Sequence, residues 1–180
     1  ALTRYISATE SEIWLIDLAN GQRRRVLPAV GEPAWASHRV GGWSADGRAL
    51  FITSDRAGEF NELMRLDLAR STLTRLTGQI PWDINWGGSS VDGRTTAILV
   101  DTDGRAELRL IDSQTGTARP LPALPSGSFA RAEFHPVLNE LSLVVNSAQS
   151  PSRIRTLDLG TGQVTAWTEP AGTEGLNLAG

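Results

Sequence analysis

The chain has 180 residues, 40% of them hydrophobic and 21% charged, with a formal net charge of −3 and no cysteine. That length suits one ordinary domain or a slice of a larger one, and the missing cysteines remove disulfides, thiolate nucleophiles and zinc–thiolate clusters. The weak negative charge gives no electrostatic case for nucleic acid or anionic membrane, and no apolar run is long enough for a transmembrane helix.

The elements recur in a fixed order along the chain. Residues 4–7, 12–18 and 24–27 read as three short strands, with the element Ile16-Asp17-Leu18 followed by an Asn20-Gly21 turn. Arg23-Arg24-Arg25 is the one basic run, expected as the exposed face of an outer strand, where charge discourages edge-to-edge pairing. A second unit follows. Residues 39–43 form its first strand, the turn Ala45-Asp46-Gly47-Arg48 gives a strong hairpin signal, and residues 49–53 read as a buried central strand. A polar loop over residues 54–61 leads to a third strand at 62–68, and residues 73–77 make the outer strand.

Two markers then repeat. Trp43-Ser44-Ala45-Asp46-Gly47-Arg48 returns 46 residues later as Ser90-Val91-Asp92-Gly93-Arg94, and after another 46 as a worn copy, Phe134-His135-Pro136 leading to Asn139-Glu140. Independently, Leu66-Asp67-Leu68, Ile111-Asp112 and Leu157-Asp158-Leu159 recur at intervals of 45 and 46 residues, with Ile16-Asp17-Leu18 lying 50 ahead of them. A period in the forties built from short strands is the signature of a β-propeller blade.

The expected fold is therefore all-β: a β-propeller fragment of about four blades of four antiparallel strands, the first lacking its innermost strand. Residues 1–30 are the incomplete first blade, 31–80 the second, 81–125 the third and 126–170 the fourth, with 171–180 a linker or tail. An open half of a larger ring is preferred to a small closed ring, in which Gly175-Leu176-Asn177-Leu178 would have to complete the first blade. Since a blade buries its faces only against neighbours, an open half exposes blade faces, and a homodimer through them is one expected partner. The chain opens on Ala1 and its single Met is Met64, so it is expected to be part of something longer. All 17 basic residues are Arg, read as the codon bias of a high-GC bacterial gene. A reducing compartment suits a chain without cysteine, so a cytoplasmic location is expected, with the periplasm as the alternative.

Candidate chemistry is sparse. The nearest approaches to a Gly-x-Ser-x-Gly nucleophile elbow are Gly42-Trp43-Ser44-Ala45-Asp46 and Gly87-Gly88-Ser89-Ser90-Val91; both lack the last Gly and neither sits between a strand and a helix. His135 takes the Ser position of the blade motif and is expected to bond to backbone, whereas His38 lies in the lead-in to the second blade with no partner identifiable. Asp46, Asp92, Asp67, Asp112 and Asp158 recur at equivalent blade positions, which points to structural bonding to turn amides rather than a glycosidase carboxylate pair. A sialidase would need a Tyr nucleophile, and the one Tyr is Tyr5. Asp101-Thr102-Asp103-Gly104 resembles a calcium loop superficially but lacks further ligands and reads as a hairpin. Trp43, Trp86 and Phe134 precede the first hairpins and are expected to pack between blades; Trp35 and Trp82 lie in inter-blade segments, where packing is again preferred over lining an opening. No residue is assigned a catalytic, metal-binding or cofactor-binding role, and no cofactor is expected.

The motif Trp43 to Arg48, the Leu-Asp-Leu elements and the Thr-Gly turns resemble the propeller repeat of the prolyl-oligopeptidase family of serine peptidases and that of the TolB propeller. Both use an aromatic-Ser-Pro-Asp-Gly turn; here Ala45 and Val91 stand in place of Pro, and the fourth copy loses Asp-Gly. Trp167-Thr168-Glu169-Pro170 followed by Gly175-Leu176-Asn177 looks like the junction where such a peptidase leaves its last blade. The resemblance implies a non-catalytic propeller segment that restricts substrate access to a hydrolase domain elsewhere in the parent chain. Its implied partners are that domain and the parent enzyme's peptide substrate. The alternative it implies is a stand-alone TolB-like scaffold for protein interaction.

Overall fold

The computed structural model describes residues 1–32, 35–148 and 150–168. They form 15 strands and no helix, arranged as four separate antiparallel sheets. The first sheet has three strands: β1 (Leu2–Tyr5), β2 (Ser11–Ile16) and β3 (Arg23–Leu27) in that spatial order. The second is β4 (His38–Trp43), β5 (Ala49–Ser54), β6 (Glu62–Asp67) and β7 (Thr72–Arg75). The third is β8 (Ile84–Ser89), β9 (Thr95–Thr102), β10 (Arg105–Asp112) and β11 (Ala118–Arg119). The fourth is β12 (Ser128–Phe134), β13 (Glu140–Ser147), β14 (Ser150–Asp158) and β15 (Val164–Ala166). Each sheet is a simple meander, the order expected of a propeller blade. β2 ends at Ile16-Asp17-Leu18, as β6 ends at Leu66-Asp67-Leu68, so β1 to β3 match the outer three strands of a blade, and no strand among the described residues pairs with the other side of β1.

Where strands begin and end follows local chemistry. β1 spans Leu2–Tyr5 rather than residues 4–7. Ile6 and Ser7 instead donate their N–H groups to the Glu10 carbonyl, and the Ser7 hydroxyl accepts the Thr9 N–H, closing a turn. Asp103 and Gly104 both have positive φ, 49° and 75°, which makes the β9–β10 link a tight two-residue hairpin and not an ion-binding loop.

The chain divides into two compact units, residues 1–86 and 87–180, with the division falling inside β8. In the first, Ile13 and Leu27 of the first sheet are buried against Leu50, Ile52, Met64 and Leu66 of the second. All six residues of β5 are buried, as an apolar run flanked by turns requires. In the second unit, Ala97, Leu99, Leu108 and Leu110 of the third sheet pack with Phe129, Leu141, Leu143 and Leu157 of the fourth. The segment 175–178, named above as a candidate fourth strand, and the rest of the tail from 169 lie outside the described residues.

Candidate functional site

The recurring carboxylates are built into turns. Ser44 is buried, accepts the Ala49 N–H at 2.9 Å, and donates its hydroxyl to Asp46 at 2.6 Å; Asp46 accepts the Arg48 N–H. Ser90, Asp92, Arg94 and Thr95 repeat this network bond for bond. In both copies the Ser hydroxyl, then the following N–H, holds the carboxyl below the usual carboxylate range. At the other marker, Asp67 accepts the Ala69 and Arg70 N–H groups, Asp112 those of Gln114 and Thr115, and Asp158 those of Gly160 and Thr161. These backbone donors also depress the three carboxyls, with Arg119 adding to the effect on Asp112. Each shift is the electrostatic consequence of a turn.

Both histidines are engaged as well. The His135 ring nitrogen Nδ1 accepts the Val137 and Leu138 N–H groups at 3.1 and 2.9 Å, replacing the Ser–Asp pair of the other hairpins. His38 differs from its reading as part of a polar lead-in. It opens β4, is 97% buried by exposure of 3%, and pairs in register with Ser54, whose hydroxyl lies 2.8 Å from its Nδ1. Ser11 of the first sheet donates its hydroxyl to the His38 carbonyl at 2.7 Å. Burial pushes the His38 pKa down, Arg56 reinforces this, and Asp55 and Glu32 oppose it. Ser11, His38 and Ser54 thus form a buried polar clasp between two sheets. The sequence offered no spacing signal for it, because its members come from three strands.

A second device recurs with the blades. Glu12 and Glu62 lie 50 residues apart, as do Arg25 and Arg75, and each Glu takes its Arg across neighbouring strands. Glu12 also accepts the Trp14 indole N–H and pairs with Arg4, and these donors, the indole first and Arg25 next, hold its carboxyl below the usual range.

The aromatic residues divide. Trp86 stacks on Phe51 with ring centroids 5.0 Å apart, and Phe134 packs against the second unit's core. Trp43 departs from the expectation of packing: it is 46% exposed. It lines a cleft of about 400 Å³ together with Leu15, Ile16, Asp17, Gln22, Arg23 and Arg24. A smaller hollow of about 240 Å³ lies beside Leu2, Arg4 and Trp14 and shares Ile16 and Arg23. Trp35 is exposed and Trp82 partly buried. Neither near-elbow has strand-to-helix geometry: Ser44 sits in the hairpin just described, and Ser89 ends β8, its hydroxyl 3.2 Å from that of Thr96. Among the described residues no group of three or more acidic, His or Cys side chains could hold a metal ion.

No described protein family matches the sequence, and no curated protein matches it. The structure does match solved propellers. TolB from Acinetobacter baumannii aligns with a TM-score of 0.69 and 23% identity, over 89% of this chain and 38% of that one. A putative TolB from Agrobacterium tumefaciens aligns with a TM-score of 0.71 and 18% identity, over 91% and 58%. A prolyl endopeptidase, one of two compared for inter-domain dynamics in catalysis and specificity, aligns at 0.65 and 16% identity, over 88% and 23%. The chain spans less than two thirds of each of these proteins. At such identities the likeness establishes the fold: blades of the kind found in TolB propellers and in prolyl endopeptidases.

Proposed function

We propose that this chain is a non-catalytic propeller segment of a prolyl-oligopeptidase-like serine peptidase, restricting substrate access to a hydrolase domain outside these residues. The observation that carries the reading is one of proportion. The blades align over 88% of this chain with only 23% of a prolyl endopeptidase, which leaves most of such a protein free to hold the chemistry. The engagement of Ser44, His38, His135 and the recurring Asp residues in turns and clasps supports it. The mechanism is steric: propeller blades beside an active site admit short extended peptides and turn folded proteins away. The parent's hydrolase domain and its peptide substrate are the partners.

A second reading, a TolB-like scaffold for protein interaction, is favoured by the TM-scores of 0.69 and 0.71 against 0.65. The complete gene product separates the two. The peptidase reading expects hydrolysis of short peptides, blocked by a serine-directed inhibitor, with intact folded proteins spared. A gene product without hydrolytic activity that co-purifies with a protein partner selects the scaffold.

A further inference from the structure

Two sequence features that the fold does not use meet at one place. The basic run lies on β3, the outer edge strand of the first sheet, and no other strand among the described residues pairs with its free edge. Arg24, opposite Leu15 in register, and Arg23, opposite Ile16, both reach the cleft that Trp43 lines. Arg25 is neutralised by Glu12, but Arg23 and Arg24 have no carboxylate partner among the described residues. The one acid in the lining, Asp17, accepts the Ala19 N–H at 2.8 Å. Both guanidinium groups stand beside the indole of Trp43, itself 46% exposed, in a protein of net charge −3.

From these residues we infer that the Trp43 cleft is a peptide-binding site for an extended acidic segment, one in which carboxylates alternate with apolar side chains. The chemistry of the lining selects this occupant. Guanidinium groups bind carboxylates through charge-assisted, often bidentate hydrogen bonds. A simple anion would satisfy them but leave Trp43, Leu15 and Ile16 in water. An extended peptide satisfies both requirements, because alternate side chains point to opposite sides. Its backbone can also pair with the free edge of β3, the strand-addition mode of peptide recognition. The indole of Trp43 then covers an apolar side chain, with an adjacent guanidinium strengthening the contact through its charge. The inference is independent of the peptidase reading, since it requires no hydrolase domain and names a site on this chain alone.

The test is fluorescence polarisation of a labelled peptide, Glu-Leu repeated three times, titrated with the 180-residue chain in low salt. Saturable binding is expected. A peptide with Gln in place of Glu should bind about tenfold more weakly, and so should the variants Arg24→Gln and Trp43→Ala, each loss corresponding to one charge-assisted or aromatic contact. Arg105→Gln, an exposed arginine in the other unit, serves as the control and should leave binding unchanged; circular dichroism of each variant confirms that it is folded. Inorganic phosphate at the peptide's own concentration should not displace it. No saturable binding, equal affinity for the Gln peptide, or indifference to both cleft substitutions overturns the proposal. Displacement by equimolar phosphate overturns it too, showing an anion site without peptide recognition.

Discussion

At the scale of single residues, the blades are pinned by side chains that serve the backbone. The Ser44–Asp46 and Ser90–Asp92 pairs satisfy hairpin amides that would otherwise face solvent or go unpaired. Ser90→Ala removes the acceptor for Thr95 and the donor to Asp92 at a site 5% exposed, and should cost about 1–2 kcal/mol in denaturant unfolding. A stabilising change is available nearby. Gly21, Gly116 and Gly162 take φ of 71°, 73° and 75° four residues after the marker Asp, and the second blade has Ser71 there at 54°. Ser71→Gly should raise stability by up to about 1 kcal/mol, since the left-handed conformation suits glycine and strains other residues.

The depressed carboxyls also fix a pH dependence. Asp46, Asp67, Asp92, Asp112 and Asp158 bind protons less readily folded than unfolded. Their stabilisation is therefore complete above the unfolded value of about 4 and is lost as pH falls through the lower folded values. His38 acts earlier, with the same sign. Its folded pKa lies below 6.5, so the unfolded chain takes up the proton first and stability declines as pH drops below about 6.5. Urea midpoints measured between pH 7 and 5 should fall, and His38→Gln should flatten that portion of the curve. An unchanged slope in the variant would place the effect elsewhere.

At the scale of strands and sheets, packing decides. A Cβ on Gly41 of β4 would come 2.7 Å from the Trp86 ring, which is itself held against Phe51. Gly41→Ala should cost about 1–3 kcal/mol through overpacking, and Ile52→Ala in the buried β5 about 2–5 kcal/mol through a cavity. These elements were legible because two kinds of signal coincided. Asp-Gly turns mark where hairpins close, and a run such as Ala49-Leu50-Phe51-Ile52 can only be a strand buried on both faces. The Trp residues were not separable in the same way. Trp43 and Trp86 both precede a hairpin, but Trp86 sits three residues further back, over the Gly41–Gly42 pair, while Trp43 sits at the end of β4 and is 46% exposed. The His38 clasp was invisible for a related reason: hydrogen bonds among Ser11, His38 and Ser54 depend on how two sheets meet, which no local pattern encodes.

At the scale of the whole molecule, the repeat settles what the chain is built from and leaves its activity to surfaces. Leu2 and Tyr5 of the first sheet and Ile6 just after β1 are exposed to solvent, as are Ile154 of the fourth sheet and Trp167 just after β15. If such faces pair two copies, as proposed for an open set of blades, light scattering at micromolar concentration should give twice the chain mass; a monomer would rule that pairing out. The central claim is that these blades carry no bond-breaking chemistry of their own. The most direct measurement is hydrolysis of prolyl and aminoacyl chromogenic substrates by the purified chain, with labelling by a serine-directed phosphonate alongside. The account predicts neither turnover nor label. Turnover abolished by that inhibitor would contradict it.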